Sequence, residues 1–203
     1  MPPKSRPHTR PATYTCYVKD IFKKKAPKDR IGADTVRSIT GMISDVESRI
    51  IAAANDLRQH GVSRGTLQAN DIQSAIQMTL TGDLCKHAVS EGTQITLKPS
   101  LLSFPAARAG HHLRASARMH VSPEAAIYLT AVLGYLITEI IGMALQEKDK
   151  HDGIVTITPA HLNCAIQKDK EFSQCFRSGV IAHGGVAFQM MKDSNPKSKK
   201  KSR

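Results

Sequence analysis

The sequence predicts an all-α protein in which one helical unit is used twice. Three observations lead there. Hydrophobic residues make up 40% of the chain but aromatics only 4%, with no Trp, a supply of aliphatic side chains that suits helices packed on helices better than a β-sandwich. Val36, Ile39, Ile43, Val46, Ile50, Ala54 and Leu57 follow one another in steps of three and four, which draws a single apolar stripe along a helix of some seven turns. The chain also repeats itself. Displaced by 90 residues, IGADTVRSITGMISDVESRII at 31–51 falls on VSPEAAIYLTAVLGYLITEII at 121–141 without a gap, and TLQANDIQSAI at 66–76 falls on TITPAHLNCAI at 156–166.

Each copy is punctuated alike. A short amphipathic helix over about 14–25, or 105–115, is closed by Pro27 and Gly32 in the first copy and by Ser122 and Pro123 in the second. The long helix follows, and Gly61 and Gly65, or Asp152 and Gly153, break it. A short extended piece then leads into a third helix of about ten residues, which starts near Gln68 or Thr158, with Pro159 suited to a first helical turn. A seven-turn helix between two short ones leaves part of its stripe uncovered, so each copy needs a partner. The two copies are expected to clasp each other, since a linker over 98–104 reaches roughly 23 Å at full extension.

The formal charge of +12 is concentrated at the ends. Lys4, Arg6 and Arg10 in the first arm and Lys197, Lys199, Lys200, Lys201 and Arg203 in the last meet no acid. Basic, Pro-containing arms cannot bury enough apolar surface to order themselves and point to a polyanion, nucleic acid before an anionic membrane surface. Cys16, Cys85, Cys164 and Cys175 form no CxxC pair and the first residues are polar, from which free thiols and an intracellular setting are expected. Residues 125–145 are apolar for the length of a membrane span. Glu139 within the run and the lack of a Trp-bearing aromatic belt favour a buried central helix instead.

Short helix, loop, long helix, loop, short helix is the pattern of the histone fold, and particular residues narrow the resemblance. YTCYVKDIF at 14–22 resembles the first helix of histone 2B, and GDLCKHAVSEGT at 82–93 resembles its extra C-terminal helix. FPAAR at 104–108, YLTAVLGYLITEII at 128–141, HLNCAIQKDKE at 161–171 and VIAHGGV at 180–186 resemble histone 2A, in order. The resemblance covers about residues 13–190. It implies two tandem histone folds forming an intramolecular handshake pair, similar to the fused histone doublets of marseillevirus-type giant DNA viruses. The implied organisation is a basic arm at 1–12, a histone 2B-like unit at 13–97, the linker at 98–104, a histone 2A-like unit at 105–176, a docking segment at 177–193 and a basic arm at 194–203.

What the resemblance implies for function is DNA packaging without catalysis or cofactor. The expected partners are double-stranded DNA and histone 4/histone 3-like proteins, with two copies of this chain in an octamer-like particle located in a virion, a viral factory or a host nucleus. In such a pair the loop before one long helix meets the loop before the partner's third helix. Arg64 is therefore expected beside Arg118 and His120, and Lys28 and Arg30 beside Val155 and Thr156, with Arg108 and Arg114 on the short helix at the middle of the DNA path. Asp83, Glu91, Glu139, Asp169 and Glu171 match the acidic docking surface of these histones, whereas Gly134, Gly142 and Lys170 stand where the family has carboxylates. Val155 or Thr156 likewise stands where the family has a groove-entering Arg, and His120 replaces another.

Other chemistry finds little support. His161 with Cys164, and Cys85 with His87, lack the spaced ligand set of a zinc motif. GVIAHGGV lacks a phosphate-loop Lys, and no arrangement pairs a nucleophile with a base. A histone-fold transcription regulator and a basic virion protein that condenses DNA without defined particles are the alternative functions.

Overall fold

A computed structural model describes residues 14–60, 65–117, 120–151 and 153–176 of the chain. These residues are mostly helical. In order they form α1 (Thr15–Lys25), β1 (Arg30–Ile31), α2 (Ala33–His60), α3 (Ala69–Thr79), α4 (Gly82–Leu97), a 3₁₀ turn (Pro99–Leu101), α5 (Ala107–Ser116), α6 (Pro123–Lys148), β2 (Thr156–Ile157), α7 (Pro159–Lys168) and α8 (Lys170–Cys175). The helix starts carry local signals. Ser122 Oγ accepts from the Ala125 N–H at 3.1 Å and Pro123 opens α6, while Asp71 accepts from the Gln68 N–H at 2.7 Å to open α3.

The internal repeat is visible in the elements. A shift of 90 residues carries the start of α2 at Ala33 to the start of α6 at Pro123, and that of α3 at Ala69 to that of α7 at Pro159. The same shift relates the inter-unit contacts. Ile31 pairs with Ile157 in parallel, and Leu67 pairs with Val121 in parallel, so each bridge is the other with the two units exchanged. Each bridge joins the start of one long helix to the loop beyond the end of the other, and α2 and α6 therefore run antiparallel. The 28 residues of α2 put the two bridges at opposite ends of a rod of about 42 Å.

One core serves both units. Ile39, Ile43, Val46 and Ile50 of α2 and Leu129, Leu133, Leu136 and Ile140 of α6 are all completely buried. The helix α6 has the length and hydropathy of a membrane span, and 67% of its most apolar window lies inside the fold, covered chiefly by α4, α7, α3 and α5. Its apolar circumference reflects neighbours on most sides.

Close backbone approach fixes α4. A Cβ at Gly92 would meet the Tyr128 ring at 2.6 Å, and the Tyr128 hydroxyl donates to the Val89 carbonyl at 3.1 Å. At the start of α4, Gly82 has a φ of 66°, and a Cβ there would collide with the Glu171 carboxylate. That carboxylate accepts from the Asp83 and Leu84 N–H groups at 2.7 and 2.6 Å, capping α4 from the other unit.

The linker is more than a spacer. After the 3₁₀ turn, Phe104 is buried between two aromatic rings of α1 and its N-terminal boundary, edge-on to Tyr14 at 5.6 Å and stacked on Tyr17 at 4.8 Å. The first unit thus depends on the second for its cover at α2, α3 and α4. Residues 1–97 expressed alone are expected to give no cooperative melt as a monomer, whereas the full chain melts cooperatively and independently of concentration. Circular dichroism melts combined with sedimentation check this, and a cooperative monomeric melt of the fragment would contradict it.

Candidate nucleic-acid interface

At the β1–β2 end, the Arg30 N–H donates to the Val155 carbonyl at 2.8 Å and the Gly32 N–H to that of Ile157 at 3.0 Å. Thr35, fully buried, adds a hydroxyl bond to the same Ile157 carbonyl at 3.1 Å. Lys28 and Arg30 are exposed beside Val155, itself 49% exposed, and Thr156. Lys148 holds the loop from below. Its side chain is 6% exposed and its ammonium pairs with Asp29 at 2.7 Å and Asp149 at 2.8 Å, which keep it charged to higher pH than usual.

The third helix of the second unit is anchored at the same end. Nδ1 of His161 accepts from the Thr158 N–H at 3.2 Å, which requires that nitrogen to be unprotonated. Burial, reinforced by the neighbouring His151, lowers the pKa of His161 and favours this neutral form.

At the opposite end, the Leu67 N–H donates to the His120 carbonyl at 2.8 Å and the Ser122 N–H to that of Leu67 at 2.9 Å. His120 is exposed, and Arg58 stiffens the loop by donating to the Thr66 carbonyl at 2.5 Å and facing Asp71 at 3.6 Å. Arg64 and Arg118, the two arginines expected here, lie outside the described residues, as do the docking segment and both basic arms.

Arg108 and Arg114 both stand on α5. Arg114 is exposed, and Arg108 is half-buried with its guanidinium 5.7 Å from the centre of the Tyr17 ring. Tyr17 in turn lies on Phe104, so a stack of linker, α1 and α5 side chains aims Arg108. The hydropathy pattern gives no hint of this stack, because Tyr17 and Arg108 are far apart in sequence.

The five carboxylates expected on an acidic surface come from α4, α6 and the start of α8. Burial and the nearby Glu139, Glu171, Glu91 and Asp169 push the Tyr135 hydroxyl up to about 12, so four of the five surround one phenol. Asp83 adjoins them, since its N–H is bound by Glu171, and its own carboxyl is held low by a hydrogen bond from Lys86. Two members also have structural work: Glu171 caps α4, and Asp169 caps α8 by accepting from the Glu171 and Phe172 N–H groups at 2.9 Å. At two of the three departures a side chain would meet a neighbour, which at Gly142 is only the movable end of a lysine. A Cβ at Gly134 would touch Ser103 of the linker at 3.3 Å, and one at Gly142 would meet the Lys25 ammonium at 2.7 Å. Lys25 donates instead to the Thr138 carbonyl at 3.0 Å.

His161 and Cys164 belong to packing and capping arrangements. Among the described residues, no three His, Cys, Asp or Glu side chains converge as metal ligands would. Burial raises the Cys85 thiol, and burial with a hydrogen bond to Glu147 raises that of Cys164. No protein-family profile matches the chain.

Sequence reasoning missed an ionic cluster around the buried Glu147, although the step from Ile140 through Ala144 to Glu147 places that Glu on the buried stripe of α6. Burial alone would push its carboxyl up. Hydrogen bonds from Lys150, Lys168 and Cys164 outweigh that and hold it at about 2. A folded pKa below the unfolded carboxylate value of about 4.3 gives stability that is fully present above that value and is lost as pH falls toward the folded one. Glu147→Gln is therefore expected to be less stable than the native chain at pH 7 by about 1 to 3 kcal/mol, with the gap closing between roughly pH 4.5 and 2. Urea titrations of both proteins at pH 7 and at pH 3 measure it, and a gap of equal size at both would contradict the assignment.

Proposed function

We propose that this chain packages DNA as a fused pair of histone folds, the first unit histone 2B-like and the second histone 2A-like. The observation that carries the proposal is the pair of reciprocal bridges, Ile31 with Ile157 and Leu67 with Val121. They align two helix starts at each end of a rigid rod, and helix starts favour anions through unpaired N–H groups and the helix dipole. Basic side chains flank them, and the +12 charge supplies the counterion release that drives sequence-independent DNA binding. Double-stranded DNA is the ligand, bent over the two ends and over α5, where Arg108 and Arg114 serve the middle. Histone 4/histone 3-like proteins complete the particle, two copies of this chain flanking them, in a virion, viral factory or host nucleus.

Reconstitution with DNA and a histone 4/histone 3-like partner, followed by nuclease digestion, tests the function. A protected length on the order of the ~146 bp wrapped by histone octamers supports it. A sequence-selective footprint supports a transcription regulator instead, and a smear supports condensation without particles.

The two ends should differ in grip. Arg64 and Arg118, which lie outside the described residues, are expected to bring two arginines to one end, whereas Lys28 and Arg30 stand beside the uncharged Val155 and Thr156 at the other. Arg64→Ala is expected to loosen DNA more than Arg30→Ala, each lowering the salt slope of binding by about one unit with no change in sequence preference. Nuclease protection across a salt series reads this, and the reverse order would overturn the assignment of the loops.

The acidic surface is the second place where this chain should depart from its proposed relatives. With no carboxylate at Gly134, Gly142 or Lys170, an Arg-anchored chromatin peptide is expected to bind less tightly than to a eukaryotic nucleosome. Direct titration checks it, and equal affinity would make those substitutions immaterial.

A further inference from the structure

Glu47 sits on the buried stripe of α2, four residues after Ile43 and three before Ile50, and is 3% exposed. Both carboxylate oxygens are occupied. The Tyr14 hydroxyl donates to Oε1 at 2.6 Å, and Nδ1 of His112 lies 2.7 Å from Oε2. Tyr14 belongs to the same unit as Glu47, but His112 comes from α5 of the other. The Tyr14 ring, edge-on to His112 at 6.0 Å and to Phe104 at 5.6 Å, closes the junction.

The repeat supplies an internal control. In the short helices the offset is 91, since α1 and α5 end on the equivalent Ala26 and Ala117 and the buried Val18 and Phe22 fall on the buried Ala109 and Leu113. The counterparts of Glu47 and His112 are therefore Ile137 and Ile21, which are 0% and 6% exposed. One of two pseudo-equivalent junctions between the units is therefore polar and the other apolar. Burying a carboxylate costs free energy, and well-packed apolar replacements of buried ionic groups are often neutral or stabilising. Since the apolar solution exists 90 residues away in the same fold, net stability is a poor account of the polar one. Buried polar groups can instead fix which surfaces pair, as a single Asn fixes register in coiled coils.

The competing pairing is plain from the sequence. The units share their apolar pattern, so the first units of two chains can pair through the same loops, 31 with 67, as can the two second units. In the first case Glu47 faces Ile21 of the other copy and loses its second donor. In the second, His112 faces Ile137 and loses its carboxylate. We propose that the Glu47–His112 pair makes each first unit pair with a second unit and excludes pairing of like units between two copies of the chain. This specificity is a property of the fold and holds whether or not the chain binds DNA.

The test refolds full-length chains, mixed with and without ¹⁵N, from denaturant at high concentration, followed by sedimentation and by amine cross-linking read by mass spectrometry. The native chain should give few links between like units of differently labelled copies. The double variant Glu47→Ile/His112→Phe makes both junctions apolar and should melt close to or above the native temperature. Its like-with-like links should rise about tenfold, the factor that corresponds to about 1.4 kcal/mol. His112→Phe alone leaves Glu47 facing an apolar side chain in either pairing and should raise the same links, so the test stands even if the double variant does not fold. His112→Gln keeps a donor toward Glu47 and should behave as the native chain. No rise in His112→Phe, or a rise in His112→Gln equal to it, would overturn the proposal.

Discussion

Covering α6 is the constraint on which the rest of the structure depends. Its Leu129, Leu133, Leu136, Ile137, Ile140 and Ile141 are buried on several sides, by α3 of the first unit, by α4 and by its own unit's α5 and α7. Each such side chain contributes about 1.5–3 kcal/mol when fully buried. A handful matches the whole net stability of an ordinary domain, about 5–15 kcal/mol. Among the described residues, the second unit offers chiefly α5 and α7 as cover. The first unit lies across it, with α2 and α6 antiparallel as the two bridges require. Once the crossing is set, the two loop bridges follow at its ends.

Polar groups then occupy the seams that this crossing creates. Glu47 with Tyr14 and His112, and Lys148 with Asp29, join the two units across segments distant in sequence, while Glu147 with Lys168 ties α6 to α7 within the second unit. Within such seams every donor or acceptor without a partner costs about 1–3 kcal/mol, so each cluster narrows the set of arrangements the units can adopt. The seams also aim the surface. Lys148 steadies the loop that exposes Lys28 and Arg30, and the Tyr17–Phe104 stack lies under Arg108. If the chain packages DNA as proposed, its basic contacts are positioned by the same contacts that hold the units together.

The acidic side shows similar double use. Glu171 and Asp169 are committed to capping α4 and α8, which leaves Glu91, Glu139 and Asp83 with fewer such obligations on that face. The linker narrows the surface further by laying Ser103 against Gly134. At position 134 the linker and the missing carboxylate are connected sterically, because a larger residue there would press on Ser103.

The all-α class, the 90-residue repeat, the extents of the long helices and the position of the loops were legible in the sequence, because each rests on local periodicity, on helix punctuation or on self-similarity. The buried stripes were legible for the same reason, and Glu47 and Glu147 could have been flagged as charges lying on them. Their partners could not. Which imidazole reaches Glu47, which ammonium reaches Asp29, and which carboxylate caps the start of α4 depend on side chains brought together from positions tens of residues apart. Nothing in the spacing of either partner encodes the other. The gathering of carboxylates around Tyr135 is likewise a product of three separate helices meeting. Sequence determined the pieces and their apolar faces because those obey short-range rules, and tertiary packing alone decided the long-range polar contacts because their partners meet only once the helices have packed.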